Sequence, residues 1–267
     1  MPDKSAGGAA SIDGMSRLRD GDSIVESAFR QSVKILKEDN FSYAGLCSST
    51  PLADAAFVKC YLPKGLFGRM VARLRWSRAD RLFRRAGTID LHLPVVKPLS
   101  IVRNLTSSRV YVFYPLAAGK NLSELLNQDR PDDRQLGCVL SIVGAALAEF
   151  HQSGWCHGDF KWGNVVVSLG AQGYDDPKIC FVDLDGCRRT GSTKSAARDL
   201  ARFIVNAEDY QVNEAVVRQF IGSYAAILGE PAEKVLLQCG KPLRKLRRRH
   251  DRKYGLRDTS LFERETG

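Results

Sequence analysis

The 267-residue chain has no CxxC pair, no internal repeat and no uninterrupted apolar run long enough to span a membrane. Paired cysteines announce zinc sites and disulfide frameworks, so their absence argues against both. The seven cysteines, at positions 47, 60, 138, 156, 180, 187 and 239, are odd in number, and several lie in apolar runs where a free thiol packs as a small hydrophobe. A reducing compartment is expected. The opening MPDKSAGGAASIDG lacks the apolar core of a secretory signal, which points to a cytoplasmic location. Two local shortages bear on function. Residues 41–50, FSYAGLCSST, contain one glycine, and between Lys59 and Pro94 the acids are Asp80 and Asp90 alone.

Cations are plentiful. The formal net charge is +10, while the 44% hydrophobic content is that of a soluble globular protein. A chain of this length can bury two cores that share a cleft. Residues 1–22, rich in Gly, Ala, Ser and charge, read as a disordered lead.

Residues 157–164 read HGDFKWGN and precede the apolar run Val165-Val166-Val167. Upstream, Leu136, Val139, Leu140, Val143, Leu147 and Phe150 recur at near-helical spacing, which predicts a buried helix over 135–152 ended by Gly154. A carboxylate, a cation and a carboxamide thus fall within one tight loop where a helix gives way to a strand. After one intervening turn comes Phe181-Val182-Asp183-Leu184-Asp185-Gly186, so a hairpin can bring two magnesium-binding groups together.

That set fits phosphoryl transfer, which asks a protein mainly to position phosphates, metal and acceptor hydroxyl. Asp159 is the candidate base or orienter for the attacking hydroxyl, and Lys161 the cation for the transferring group. Asn164 and Asp183 offer hard oxygen ligands to Mg2+. His157 is expected to pack behind the loop rather than move protons. Strand alternation predicts Phe181, Asp183 and Asp185 on one face; for Asp185 a non-ligand role is favoured. The bland alternative for an HGD triplet by itself is a turn.

These residues resemble the kinase-like phosphotransferases, and within them the bacterial lipopolysaccharide kinases, which phosphorylate heptose or Kdo sugars of the lipopolysaccharide inner core. HGDFKWGN, VDLDGCRR and the downstream ARDLARF carry the resemblance, which extends over roughly residues 32–203. It implies an α+β, two-lobed protein-kinase-like fold with a small antiparallel-sheet N-lobe (23–116) and a mainly helical C-lobe (117–267). It also implies use of ATP and Mg2+, and a lipid-linked sugar acceptor.

By the same resemblance, Lys59 in the strand-like run AAFVKCY stands where the superfamily holds the nucleotide phosphates, with Lys34, Lys37 and Lys64 as rivals. Backbone groups at Tyr114 and Leu116, after the strand-like RVYVF, fall where a hinge meets adenine. Asn121 reads as the N-cap of a helix, and Asp199 in ARDLARF as a buttress of the catalytic loop. The sequence departs from the pattern in two places. Leu82 occupies the position of the helix glutamate that normally pairs with the strand lysine, leaving Asp80 as a substitute. In the thin glycine loop, Ser48, Ser49 and Thr50 or backbone amides have to cover the phosphates; a plain hairpin turning at Asp39-Asn40 accounts for the same residues.

Two basic stretches remain. Residues 241–253, from Lys241 to Lys253, carry eight Lys or Arg against one acid. Residues 64–85, from Lys64 to Arg85, place Phe67, Met70, Val71 and Leu74 on one helical face beside Arg69, Arg73 and Arg75. Each cation near an anionic leaflet contributes about 1 kcal/mol, so either stretch fits a peripheral contact with the inner membrane. The alternative packs the apolar face on the smaller lobe and solvates the arginines. No nucleic-acid motif accompanies the charge. A small-molecule kinase, a protein kinase and a pseudokinase scaffold in envelope stress are the competing readings.

Overall fold

The computed structural model describes residues 33–38, 40, 42–47, 56–104, 106–255 and 260–262. Its described part is mixed α+β and divides into two compact units, one of the described residues up to 83 with those of 98–116, the other of residues 84–97 with the described residues from 117 on. This is the α+β, kinase-like class that the motifs imply.

The first unit is built on a five-stranded antiparallel sheet ordered β1-β2-β3-β5-β4, from β1 (Val33–Glu38), β2 (Ser42–Cys47), β3 (Ala56–Tyr61), β4 (Ser100–Arg103) and β5 (Val110–Pro115). Alternation in β2 and β3 sends Tyr43, Cys47, Ala56, Val58 and Cys60 to one face, where they form the core with Val33, Tyr111 and Phe113. Cys47 and Cys60 in that core are buried and form no disulfide. Helix α1 (Gly65–Arg73) follows β3, and α2 (Arg78–Gly87) follows α1 and carries the chain from one unit to the other.

In the second unit, helix α3 (Leu122–Gln128) begins at Asn121, whose side chain accepts from Glu124 N–H while Glu124 accepts from Asn121 N–H. The same reciprocal cap, Asp132 with Gln135, starts α4 (Asp133–Gln152). All six residues assigned to its apolar stripe are buried. Gly154, with φ of 85°, supplies the left-handed turn that leaves the helix.

The chain then forms β7 (Trp155–Cys156), the catalytic-motif loop, and a hairpin of β8 (Val165–Gly170) and β9 (Gly173–Phe181), to which β6 (Lys120–Asn121) adds an edge. Strand β10 (Arg188–Arg189) pairs with β7. Helices α5 (Thr193–Asp209), α6 (Glu214–Leu228) and α7 (Ala232–Tyr254) complete the unit. Among the described residues, no helix is long and apolar enough to cross a membrane.

Three expectations change. Strand β9 ends at Phe181; Asp183 lies beyond it at φ 60°, ψ 62°, and a 3-10 turn over Leu184–Gly186 follows, so strand alternation does not relate Asp183 to Asp185. The single glycine of 41–50 is not a phosphate loop residue. Gly45 sits inside β2 opposite Ile35 and Val58, where a Cβ would collide with Lys34 O, so the chain needs glycine for strand packing. Ser48, Ser49, Thr50 and the turn residue Asp39 lie outside the described residues. Finally, the basic stretch 241–253 is partly engaged within the fold. It is the second half of α7, and Arg247 in it is spent on buried Glu208 (2.5 Å) and on Leu261 O (2.6 Å).

Candidate active site

The loop HGDFKWGN owes its shape to an alternation of buried and outward residues. Phe160 and Trp162 are fully buried, whereas Asp159 and Lys161 are partly exposed. Phe160 meets Phe181 edge to face and stacks on Phe203; Trp162 donates its indole N–H to Phe203 O at 3.1 Å. These rings fix the loop's underside. Two tight turns then reverse it, Lys161 N–H to Asp159 O (2.9 Å) and Asn164 N–H to Lys161 O (2.8 Å), so that three polar residues close in sequence stand on one small loop.

Gly158 is required twice over. Its φ of 80° is left-handed, and a Cβ would collide with Gly186 O. The glycine of HGD and the glycine of DLDG therefore lie back to back, which explains why the two motifs both contain one.

His157 is wholly buried and pressed against Phe160 and Phe181. One ring nitrogen, Nε2, lies 3.0 Å from Val182 O, which can only accept; Nδ1 faces the Asp159 N–H at 3.4 Å. The imidazole is thus neutral with its proton on Nε2, and burial pushes its pKa down despite nearby carboxylates. It packs and hydrogen-bonds behind the loop, as expected, and ties the loop to the second acidic motif.

A single stripe of α5 holds the loop from behind. Asp199 accepts from His157 N–H (2.7 Å) and Gly158 N–H (2.9 Å), Arg202 pairs with Asp159, Phe203 packs under Phe160, and Asn206 accepts from Trp162 N–H at 3.0 Å. The i, i+3, i+4, i+7 spacing puts all four on one face. Asp199 is the buttress that the sequence implied. Arg202 and Asn206 were missed, although both stand in or just after ARDLARF at helical spacing from Asp199.

Asp159 consequently sits between two cations. Lys161 Nζ is 3.1 Å from one oxygen and Arg202 pairs with the other. Partial burial works to raise the carboxyl's pKa, but Lys161 and Arg202 outweigh it and hold the group below its ordinary value. It is ionised at neutral pH and accepts hydrogen bonds only.

Asn164 is buried, and its Nδ2 donates to Asp159 O at 2.9 Å. That bond directs Oδ1, the hard oxygen, elsewhere. Val182 N–H donates to Asn164 O at 3.0 Å, and Val165 faces Phe181 across the hairpin. Asn164 and exposed Asp183 therefore belong to the same open end of β8 and β9.

In the first unit, Lys59 lies on the sheet face opposite the core, paired across to Ala44 and Val112. Tyr114 shares that face and tilts against Phe57 at 6.1 Å between ring centroids. Leu116 follows β5 and is exposed. Lys59 Nζ stands 5.7 Å from the Tyr61 ring centroid. Of its rivals, Lys34 is exposed on the edge strand and Lys64 precedes α1; the side chain of Lys37 lies outside the described residues. Asp80 does not replace the helix glutamate. It is buried at the start of α2, accepts from Ser77 N–H and Oγ, and pairs with Arg103, which lies on the Lys59 face of the sheet.

Residues 98–224 match the model of the lipopolysaccharide kinase (Kdo/WaaP) family. No curated protein matches the chain. The matched stretch contains β5, the HGDFKWGN loop, the β8 and β9 hairpin and the α5 stripe, and over it the chain is similar to the lipopolysaccharide kinase (Kdo/WaaP) family, whose members are phosphotransferases.

Proposed function

We propose that the protein transfers the γ-phosphoryl group of ATP to a hydroxyl of a heptose or Kdo sugar in the lipopolysaccharide inner core, on the cytoplasmic side of the inner membrane. The observation that carries this reading is the carboxylate of Asp159, ionised, partly exposed and oriented by two cations on a loop of buried aromatics.

An acceptor hydroxyl donating to Asp159 would be aligned for in-line attack, and the carboxylate would take its proton as the new O–P bond forms and the bond from the γ-phosphorus to the bridging oxygen breaks, releasing ADP. Its lowered pKa makes it a weak base, so its main work is orientation in a late proton transfer. Lys161, already beside it, neutralises charge on the transferring group. Asn164 and Asp183 fit Mg2+: both offer hard oxygens, and Mg2+ typically takes one or two carboxylates and completes its shell with water and phosphate. Bound there, the ion would neutralise the nucleotide phosphates. Lys59 would hold those phosphates, and the backbone at Tyr114 and Leu116 would meet adenine.

The test is phosphate incorporation from ATP into purified inner-core acceptor by wild type and Asp159→Asn. The variant is expected to lose about 10²-fold or more in kcat, the usual range for a removed general base. Equal incorporation by both would remove Asp159 from the chemistry.

The competing pseudokinase reading rests on a specific departure: the acid at the start of α2 serves Arg103. It is separated from the kinase reading by nucleotide binding, taken up below.

A further inference from the structure

Amphipathic helices on soluble proteins normally bury their large apolar side chains and expose their polar face. Helix α1 does the reverse. Its inward side is small: Ala72 is buried, and Gly68 is half-buried beside Pro63. Leu66 and Phe67 are 85% and 74% exposed, Met70 and Leu74 about half exposed, and Trp76, just past the helix, is 62% exposed. At 100° per residue, Leu66, Met70, Leu74 and Phe67 cover a contiguous arc, with Arg69 and Arg73 along one edge.

The alternative in which this apolar face packs on its own unit is thereby ruled out for four of its residues. Arg73 also fastens the helix in place, donating from Nε to buried Ser108 at 3.2 Å. The outward face is accordingly presented by a tethered helix. Five exposed cations accompany it, Lys64, Arg69, Arg73, Arg75 and Arg78, and no acid occurs from 64 to 79.

From this pairing of exposed Leu66, Phe67, Met70, Leu74 and Trp76 with a one-sided ring of cations, we infer that α1 and Trp76 dock the protein on an anionic lipid bilayer, the apolar arc entering the headgroup and acyl boundary. Charge selects this occupant. A protein groove taking the apolar face would have to supply acids matched to the Arg69 and Arg73 edge and to Lys64, Arg75 and Arg78 at the helix ends, whereas an anionic leaflet supplies negative charge as a continuous surface. Large aliphatic and aromatic side chains ringed by Lys and Arg are the composition of an interfacial helix. The stretch 241–253 is the weaker candidate, since Arg247 is already engaged by Glu208 and His250 lies 3.2 Å from Asp209. The inference deepens the reading of a kinase acting on a lipid-linked sugar, but its test requires neither ATP nor acceptor.

Of the three tryptophans, Trp155 and Trp162 are buried, so Trp76 is the one that reports on its surroundings. The full chain is mixed with vesicles of phosphatidylcholine alone, or of phosphatidylcholine with phosphatidylglycerol, and followed by flotation and by quenching with acyl-brominated lipid. Binding to the anionic vesicles, weakened by salt, with quenching that disappears in Trp76→Phe, is the expected result. The double variant Leu66→Ser, Phe67→Ser is expected to bind roughly tenfold or more weakly. Both positions are exposed, and an unchanged unfolding midpoint verifies that the variant folds.

No flotation of wild type with anionic vesicles would overturn the inference. So would full binding by the double variant, or loss of binding only when 241–253 is neutralised. A vesicle-independent dimer abolished by Leu66→Ser, Phe67→Ser would assign the face to a second copy instead. Transfer to a lipid-free core oligosaccharide is expected to be unchanged in the double variant, so a failed docking test and a failed kinase assay are read separately.

Discussion

At the scale of single residues, Lys161 and Arg202 together govern how Asp159 behaves. They depress the pKa of that carboxyl, so the stabilisation it brings is present above the unfolded-state value and lost as pH falls through the lower folded one. Removing one cation must raise the folded pKa. For Arg202→Gln the acid limb of the kcat/KM profile is therefore expected to move to higher pH, with a loss of about tenfold at neutral pH as the carboxylate loses one of its two orienting contacts. An unmoved acid limb would show that Asp159 does not govern it. This was the hardest level to read from sequence. Asp159, Lys161 and Asn164 are contiguous enough to be noticed as one motif, but Arg202 lies 43 positions away, and its reach back to the loop follows only when its i, i+3 spacing from Asp199 is read on a helix packed against that loop.

At the scale of elements, periodicity was a good guide wherever burial was one-sided. The stripe of α4 could be read because every inward position is apolar, and Asn121 with Glu124 could be read because a cap is a local contact. Strand alternation failed at Asp183 for a definite reason. Alternation holds only while φ and ψ stay extended, and the chain turns left-handed there. The α5 stripe offers the corresponding test. Asp199 is 2% exposed and accepts two backbone N–H groups, and hydrogen bonds to a charged acceptor contribute roughly 1.5–3 kcal/mol each. Asp199→Asn keeps the volume but turns one acceptor into a donor facing another donor. Urea denaturation is expected to show a loss of about 2–4 kcal/mol, accompanied by reduced kcat because His157 and Gly158 set the position of Asp159. Wild-type stability in that variant would mean that α5 does not hold the loop.

At the scale of the whole molecule, the sequence conveyed class, a family resemblance and the residues of two motifs, while what it misjudged concerned partners for charge. Asp80 looked available to a lysine because it is the first acid after Lys59; in the fold Arg103 and Ser77 take it. Residues 241–253 read as a basic stretch open to a membrane because sequence shows charge and not the buried Glu208 opposite Arg247. The first of these decides between kinase and pseudokinase. Asp80 supplies Lys59 with no carboxylate from α2, and in the proposed reading Lys59 holds the nucleotide phosphates, so binding should be steep in that residue. A ligand held only by the folded state raises its midpoint by mass action, about 2.7 kcal/mol at a hundredfold excess over Kd. Wild type is expected to show a higher thermal midpoint in millimolar ATP with Mg2+ than with either alone. Lys59→Met should lose most of that shift, and Asp183→Asn only its Mg2+-dependent part. A wild type that is indifferent to ATP and Mg2+ would favour the scaffold reading, and a full shift in Lys59→Met would move the phosphate contact to another cation.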